Sequence, residues 1–204
     1  EYLTSDTIWS LRENPKSLLV LGGGSIGCEL AQAFARLEVK VTLVEMATRL
    51  LIREDADVAT IIAEKFSKEG IDLRLGYTAK QFLLENGQKT LLAEYQGQEV
   101  RVEFNEILLA LGRVANISGY GLEELGMELS PRQTITVDEF QATNYPNIYA
   151  VGDVTGLFQF THIAAHQAGY AAVNSLLGGF KKFRTDNSTI PWATFTEPEV
   201  ARVG

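Results

Sequence analysis

Leu18-Leu19-Val20-Leu21-Gly22-Gly23-Gly24-Ser25-Ile26-Gly27 joins an all-apolar run to a glycine-rich turn. Four consecutive apolar residues stopped by glycine suit a strand buried on both faces of a parallel sheet. Ile26, Leu30, Ala33, Phe34 and Leu37 then recur at helical spacing, which predicts an amphipathic helix with that stripe turned to the core. Lys40-Val41-Thr42-Leu43-Val44-Glu45 reads as the next strand. Strand, turn, helix and strand within about 30 residues make a βαβ unit.

In that setting Gly22-x-Gly24-x-x-Gly27 has the context a dinucleotide-binding fingerprint requires. Gly22 permits the tight turn, Gly24 lets the backbone approach a pyrophosphate, and Gly27 allows close packing of helix on strand. Ser25 and Ile26 open the helix, whose free N–H groups and partial positive charge attract phosphate. Glu45 stands 23 residues beyond Gly22, near the interval of about 20 seen in such folds. Its carboxylate can accept hydrogen bonds from both hydroxyls of an adenine ribose, and it repels a 2′-phosphate. NAD is therefore expected in preference to NADP. Arg49 is the nearby base that would lead if the phosphorylated cofactor were used.

Outward from this unit, Asp55 is placed to cap a second helix, with Val58, Ile61, Ile62 and Phe66 on one face and Gly70 past its end. Ile71 to Leu75 alternates as a strand. Asn86-Gly87 is a strong hairpin signal, and Gln96-Gly97 marks a second turn. Val100, Val102 and Phe104 alternate with charged residues, and Ile107 to Leu111 reads as another buried strand. From Gly112 to about Asn147 the texture changes to short loops. Asn147 to Val151 predicts a short strand ending at Gly152-Asp153. A helix is expected from about Thr161 to Leu177, stopped by Gly178-Gly179. Ile190 to Thr196 begins a strand, and no further element is evident before Gly204.

The 204 residues are 46% hydrophobic and 22% charged, the composition of a globular chain. Eighteen Lys and Arg against 26 Asp and Glu leave a net charge of −8 without a basic stretch. That argues against a nucleic-acid partner, whose phosphates need clustered cations. No apolar run approaches the roughly 20 residues that span a bilayer, so no membrane partner is expected. The opening Glu1-Tyr2-Leu3-Thr4 lacks the features of a secretory signal. Cys28 is the single cysteine, so no internal disulfide can form, and a reducing, cytoplasmic setting is expected.

Gly22 to Glu29, Ala110-Leu111-Gly112-Arg113, Thr143 to Val154 and Phe195 to Gly204 form an ordered set of motifs. In these the chain resembles the flavin-dependent pyridine nucleotide–disulfide oxidoreductases, a family that includes dihydrolipoamide dehydrogenase, glutathione reductase and mercuric reductase. The ending Phe195-Thr196-Glu197-Pro198-Glu199-Val200-Ala201 leans toward the first and last of these. The resemblance covers nearly the whole chain and implies an α/β fold in three parts. Residues 1–113 would be a Rossmann-like NAD domain with a β-meander crossover. Residues 114–187 would be the C-terminal half of an FAD domain, and 188–204 the start of a dimerisation domain of a homodimer.

The resemblance also implies roles. Asp153, after Gly152, would bond the ribityl chain of FAD. The helix starting at Thr161-His162 would aim its dipole at the flavin. Glu29 would pair with a lysine beside redox cysteines, and Gly112-Arg113 would form a turn near the nicotinamide nucleotide. Ser25 stands where an aromatic residue often gates the nicotinamide pocket, and Leu111 and Ala115 replace the commoner Thr and Pro of their motifs.

Within these residues the family's first FAD-binding glycine turn, its Cys-x-x-x-x-Cys pair and its C-terminal His/Glu pair do not occur. The expectation is an internal piece of a longer enzyme that passes hydride from NADH to FAD and electrons on to a disulfide or related acceptor. Alone, it should bind nucleotide without turnover. Cys28 reads as a small buried side chain, although its place at a helix start admits modest reactivity. His162 and His166, four apart on one helix, resemble half a metal site without a third ligand, and no metal is expected. Three other readings remain open: a non-catalytic NAD-binding module, a two-domain dehydrogenase using a histidine as general acid, and one chain of a split flavoenzyme.

Overall fold

A computed structural model describes residues 2–156 and 158–203. Glu1, Leu157 and Gly204, the last residue of the terminal motif, lie outside the described residues. The chain divides into two compact units, Glu1–Gly112 with Ala193–Ala201, and Arg113–Trp192 with Arg202–Gly204.

The first unit is built on strand β1, Ser17–Leu21, at the centre of a parallel sheet. It pairs on one side with β2, Lys40–Glu45, and on the other with β7, Glu106–Leu109. Strand β3, Asp72–Leu75, adds to β2, giving the order β3-β2-β1-β7. The apolar run is buried on both faces, and strand alternation sorts it. Leu18 and Val20 join one core cluster with Val41, Leu43, Ile62 and Phe66, whereas Leu19 and Leu21 join another with Val44, Leu91 and Phe104. Helices α1, Ser25–Arg36, and α2, Ala56–Lys68, cover the first face.

The second face is covered by an antiparallel meander of β4, Thr78–Glu85, β5, Gln88–Tyr95, and β6, Gln98–Phe104. Asn86 and Gly87 have φ of 51° and 82°, and Gln96 and Gly97 have 51° and 77°. Both hairpins thus turn through two left-handed residues, the geometry that matches strand twist. The meander lies between β3 and β7 in the chain, so it is the crossover that returns to the parallel sheet.

Three details of this unit depart from the expected pattern. In α1 the buried residues are Gly27, Cys28, Ala31 and Gln32, while Ala33 and Leu37 are exposed. Close approach of the helix at Gly27 leaves room only for small side chains such as Cys28 and Ala31, Gln32 is buried against Glu69 and Glu197, and Leu30 and Phe34 pack at the edge of the core. In α2 the buried residues are Ala59, Ile62 and Phe66, and Ile61 faces solvent. Strand β7 ends at Leu109, and Leu111 is exposed.

The second unit has a small core of Met127, Ile135 and Ala150. A one-turn helix α3, Leu122–Leu125, lies between the left-handed glycines Gly121 and Gly126. Asn147 to Val151, expected as a strand, makes only the single bridge Ala142↔Tyr149. The bonds Thr143 N–H to Ile148 O and Ala150 N–H to Gln141 O make that bridge, and no strand extends from it. Helix α4 spans Thr161–Leu177 as expected. Strands β8, Pro191–Thr194, and β9, Val200–Val203, form a two-stranded sheet. The terminal residues therefore carry an element that their short, charged sequence did not announce.

Candidate functional site

The three fingerprint glycines are needed for different reasons. Gly22 has φ +113°, and a Cβ there would lie 2.4 Å from the Ala110 carbonyl oxygen. A Cβ on Gly27 would lie 1.9 Å from the Gly22 carbonyl oxygen. These two positions are closed to any side chain. A Cβ on Gly24 meets nothing within 4 Å. Gly24 is the N-cap of α1, makes no side-chain cap bond, and is exposed with Ser25. Ile26 is half-buried behind them. The first-turn N–H groups lack intrahelical acceptors, so the turn presents donors beside free space. A Cβ at position 24 would enter that space.

Glu45, the last residue of β2, closes one side of the turn. Its Oε2 accepts the Gly23 N–H at 2.6 Å, and its Oε1 accepts the Ala47 N–H at 2.7 Å. The Gly23 carbonyl accepts the Leu51 N–H at 2.8 Å. A Cβ on Gly23 would lie 3.1 Å and 3.2 Å from Glu45 Cγ and Cβ, and 2.9 Å from Leu50 Cδ2. Gly23 and Ala47 were not foreseen as site residues. The available signal was the third glycine in Gly22-Gly23-Gly24, since the fingerprint asks only for the outer two. Arg49 Nη2 donates to the Ile52 carbonyl at 3.0 Å, within its own loop.

Cys28 is fully buried, and its thiol donates to the Gly23 carbonyl at 3.4 Å. Burial pushes the thiol far above its ordinary value, and the charges of Glu29 and Glu45 push it further. The full burial of the thiol argues against the modest reactivity admitted for a helix start. Glu29 Oε1 accepts the Phe195 N–H at 2.9 Å. One and two turns along the same helix row, Gln32 and Arg36 continue this contact. Gln32 Oε1 accepts the Glu197 N–H at 2.7 Å, its Nε2 donates to the Glu197 carbonyl at 3.0 Å, and Arg36 Nη1 lies 2.8 Å from Glu197 Oε2.

Gly112 has φ +115° and free space around its missing Cβ. In the second unit, Arg113 Nη1 lies 2.8 Å from Asp153 Oδ2 and also donates to the Gln159 carbonyl at 3.3 Å. The two residues assigned separate ligand contacts are thus brought together as an ion pair. Gly152 has φ +75°, and a Cβ there would lie 2.8 Å from Ala164 Cβ. Its N–H donates at 2.7 Å to Oε1 of Gln167, a fully buried residue whose Nε2 has no hydrogen-bond partner. Gln167 is a further residue of this site that its sequence context did not single out.

Thr161 opens α4 and is exposed; the preceding Phe160 makes no side-chain cap bond. His162 Nε2 donates to the Pro191 carbonyl at 2.7 Å, and His166 Nε2 donates to the Asp186 carbonyl at 2.8 Å. A carbonyl oxygen only accepts, so Nε2 carries a hydrogen in both rings. Phe160 stacks on His162 and on Trp192, at 5.5 Å and 6.3 Å between centroids. The histidines are engaged by separate backbone groups. Among the described residues no group of three or more His, Cys, Asp or Glu could hold a metal. No helix among them is long and apolar enough to cross a membrane.

A parallel sheet, a meander crossover and this glycine turn are joined by a match to a family model. Residues 1–168 match the pyridine nucleotide-disulphide oxidoreductase family, and the chain belongs to it. Among individual relatives, the chain is 38% identical over 202 residues to dihydrolipoyl dehydrogenase of Chlamydia pneumoniae, covering 99% of the chain and 42% of that protein. It is 36% identical over 205 residues to mercuric reductase of Staphylococcus aureus, covering 100% of the chain and 37% of that protein. Among solved structures, the HOCl-induced flavoprotein disulfide reductase RclA from Escherichia coli superposes with a TM-score of 0.88 at 33% identity, over 100% of this chain and 46% of that one. The chain thus spans about two fifths of the length of the curated relatives it matches.

Proposed function

We propose that this chain supplies the NADH site and part of the FAD site of a flavin-dependent disulfide reductase. The observation that carries this reading is Glu45, held against the glycine turn by Gly23 and Ala47 beside the open space at Gly24. Residues 1–113 are the NAD domain, 114–187 the returning half of the FAD domain, and 188–204 the start of the dimerisation domain. Glu45 receives the adenine-ribose hydroxyls, and the N–H groups at Ser25 and Ile26 receive the pyrophosphate. Gly112 and Arg113 border the nicotinamide half.

On the flavin side, Asp153 accepts from the ribityl chain while Arg113 orients its carboxylate. Gly152 keeps the backbone close to α4, and the N-terminus at Thr161 and His162 faces the flavin ring. Glu29, steadied by the Phe195 N–H, is the acid on the flavin side of the nucleotide helix. When bound, nicotinamide and flavin supply the hydride transfer. The residues of this chain bind and orient them. The dithiol that would reduce a disulfide or related acceptor is outside these 204 residues, whose single cysteine is buried Cys28. Alone the chain binds nucleotide without turnover. The whole protein works as a homodimer in the cytoplasm.

Fluorescence titration of the chain with NADH and NADPH, beside a Glu45→Ala variant, tests the nucleotide assignment. The expected result is saturable NADH binding, weaker NADPH binding, and loss of that preference in the variant. Preference for NADPH, or no binding of either by folded protein, overturns it.

A further inference from the structure

We propose that Gly23 is the positioning residue that sets the nucleotide preference, acting through Glu45. This rests on the reading of Glu45 as the ribose acceptor. A carboxylate on a free side chain could swing away from a 2′-phosphate and relieve the repulsion. Glu45 is not free. One oxygen is fixed by the Gly23 N–H at 2.6 Å, the other by the Ala47 N–H at 2.7 Å. Gly23 is itself immobilised: its carbonyl accepts the Leu51 N–H, and the neighbouring Gly22 N–H donates to the Val44 carbonyl, both at 2.8 Å.

A carboxylate has about four lone-pair sites, so two remain to accept from a vicinal diol. A 2′-phosphate brings further acceptors and negative charge to the same place, against the held carboxylate. Preference therefore depends on where the carboxylate is held as well as on its charge.

Gly23 is suited to the task because it lacks a side chain. Its φ is not in the left-handed region, so alanine meets no backbone strain at this position. The obstacle is steric. The methyl would press on Leu50 Cδ2, which can rotate, and on Glu45 Cβ and Cγ. Glu45 Cβ is fixed to strand β2 and cannot rotate away. The added methyl displaces the carboxylate and breaks its bond to the turn.

The test measures Kd for NADH and NADPH in the wild-type chain, Gly23→Ala, Glu45→Ala, the double variant and Glu45→Asp. Gly23→Ala is expected to reduce the NADH-over-NADPH ratio about tenfold, the scale of a hydrogen bond to a charged group. In the Glu45→Ala background the same substitution should change the ratio less than about twofold, since the group it acts on is gone. Glu45→Asp keeps the charge but is one methylene too short for the Gly23 N–H, and should lose the preference likewise. This arm decides the matter even if Gly23→Ala does not fold. A ratio unchanged in Gly23→Ala or Glu45→Asp overturns the positioning role, as does an equal effect of Gly23→Ala in both backgrounds. A ratio unchanged in Glu45→Ala overturns the ribose-acceptor reading itself, and the positioning role with it.

Discussion

Arg36 Nη2 lies 2.7 Å from Glu69 Oε1, joining helix α1 to the end of α2. Gln32 Nε2 and Lys65 Nζ also reach the Glu69 carboxylate, at 3.0 Å and 3.1 Å. The Arg36 guanidinium, followed by Gln32 and Lys65, outweighs partial burial and holds Glu69 at about 2, against an ordinary value of 4.5. A carboxyl depressed on folding stabilises the fold above its unfolded value and loses that contribution as pH falls through the folded value. The stabilisation is complete above pH 4.5 and disappears toward pH 2. Glu69→Gln should cost about 1–2 kcal/mol at neutral pH, since the pair is partly screened by solvent. Urea unfolding at stepped pH should show a shallower acid limb in the variant. An identical slope in both proteins would refute the assignment.

Gly24 and Gly27 separate binding from folding. Gly27→Ala sets a Cβ 1.9 Å from the Gly22 carbonyl, so turn or helix must move, at a cost above about 2 kcal/mol. Gly24→Ala meets no neighbour, so stability should stay within about 1 kcal/mol of wild type. Its methyl enters the space proposed for the pyrophosphate, and NADH affinity should fall at least about tenfold. Thermal melts and NADH titrations of both variants check this. A stable Gly27→Ala, or undiminished NADH affinity in Gly24→Ala, would contradict the geometry.

Cys28 should resist thiol reagents in the native chain. Its sulfur is buried and its thiolate is disfavoured by desolvation and by Glu29 and Glu45. Labelling with a chromogenic disulfide is expected only as the first unit unfolds, with a rate that follows denaturant concentration. Rapid stoichiometric labelling without denaturant would show an accessible thiolate instead.

Several features were legible from local chemistry alone. The bounds of β2 and α4, the left-handed turns at Asn86-Gly87 and Gln96-Gly97, and the buried run before Gly22 follow from short-range patterns. Each depends on neighbours in the chain: side-chain alternation, a residue that tolerates positive φ, or an apolar run too short to be a helix. The fingerprint glycines and Glu45 were visible for the same reason, since strand, turn and helix succeed one another without a long loop.

What the tertiary structure decided is which groups meet across long separations. The same turn could carry any small residue at position 23 until Leu50 and Glu45 close on it. The apolar stripe of α1 pointed to large residues, but close approach to β1 put Cys28 and Ala31 inside, and the Glu69 and Glu197 contacts bury Gln32. Arg113 finds Asp153, Gly152 finds Gln167, and Gln32 finds Glu197. None of these pairs has a local signature, because a hydrogen bond between distant residues exists only once packing has brought them within about 3 Å. Sequence by itself determined the strand–turn–helix–strand unit of β1, α1 and β2 and the chemistry available at its glycine turn; packing determined which donor holds which acceptor, and so where each functional group is aimed.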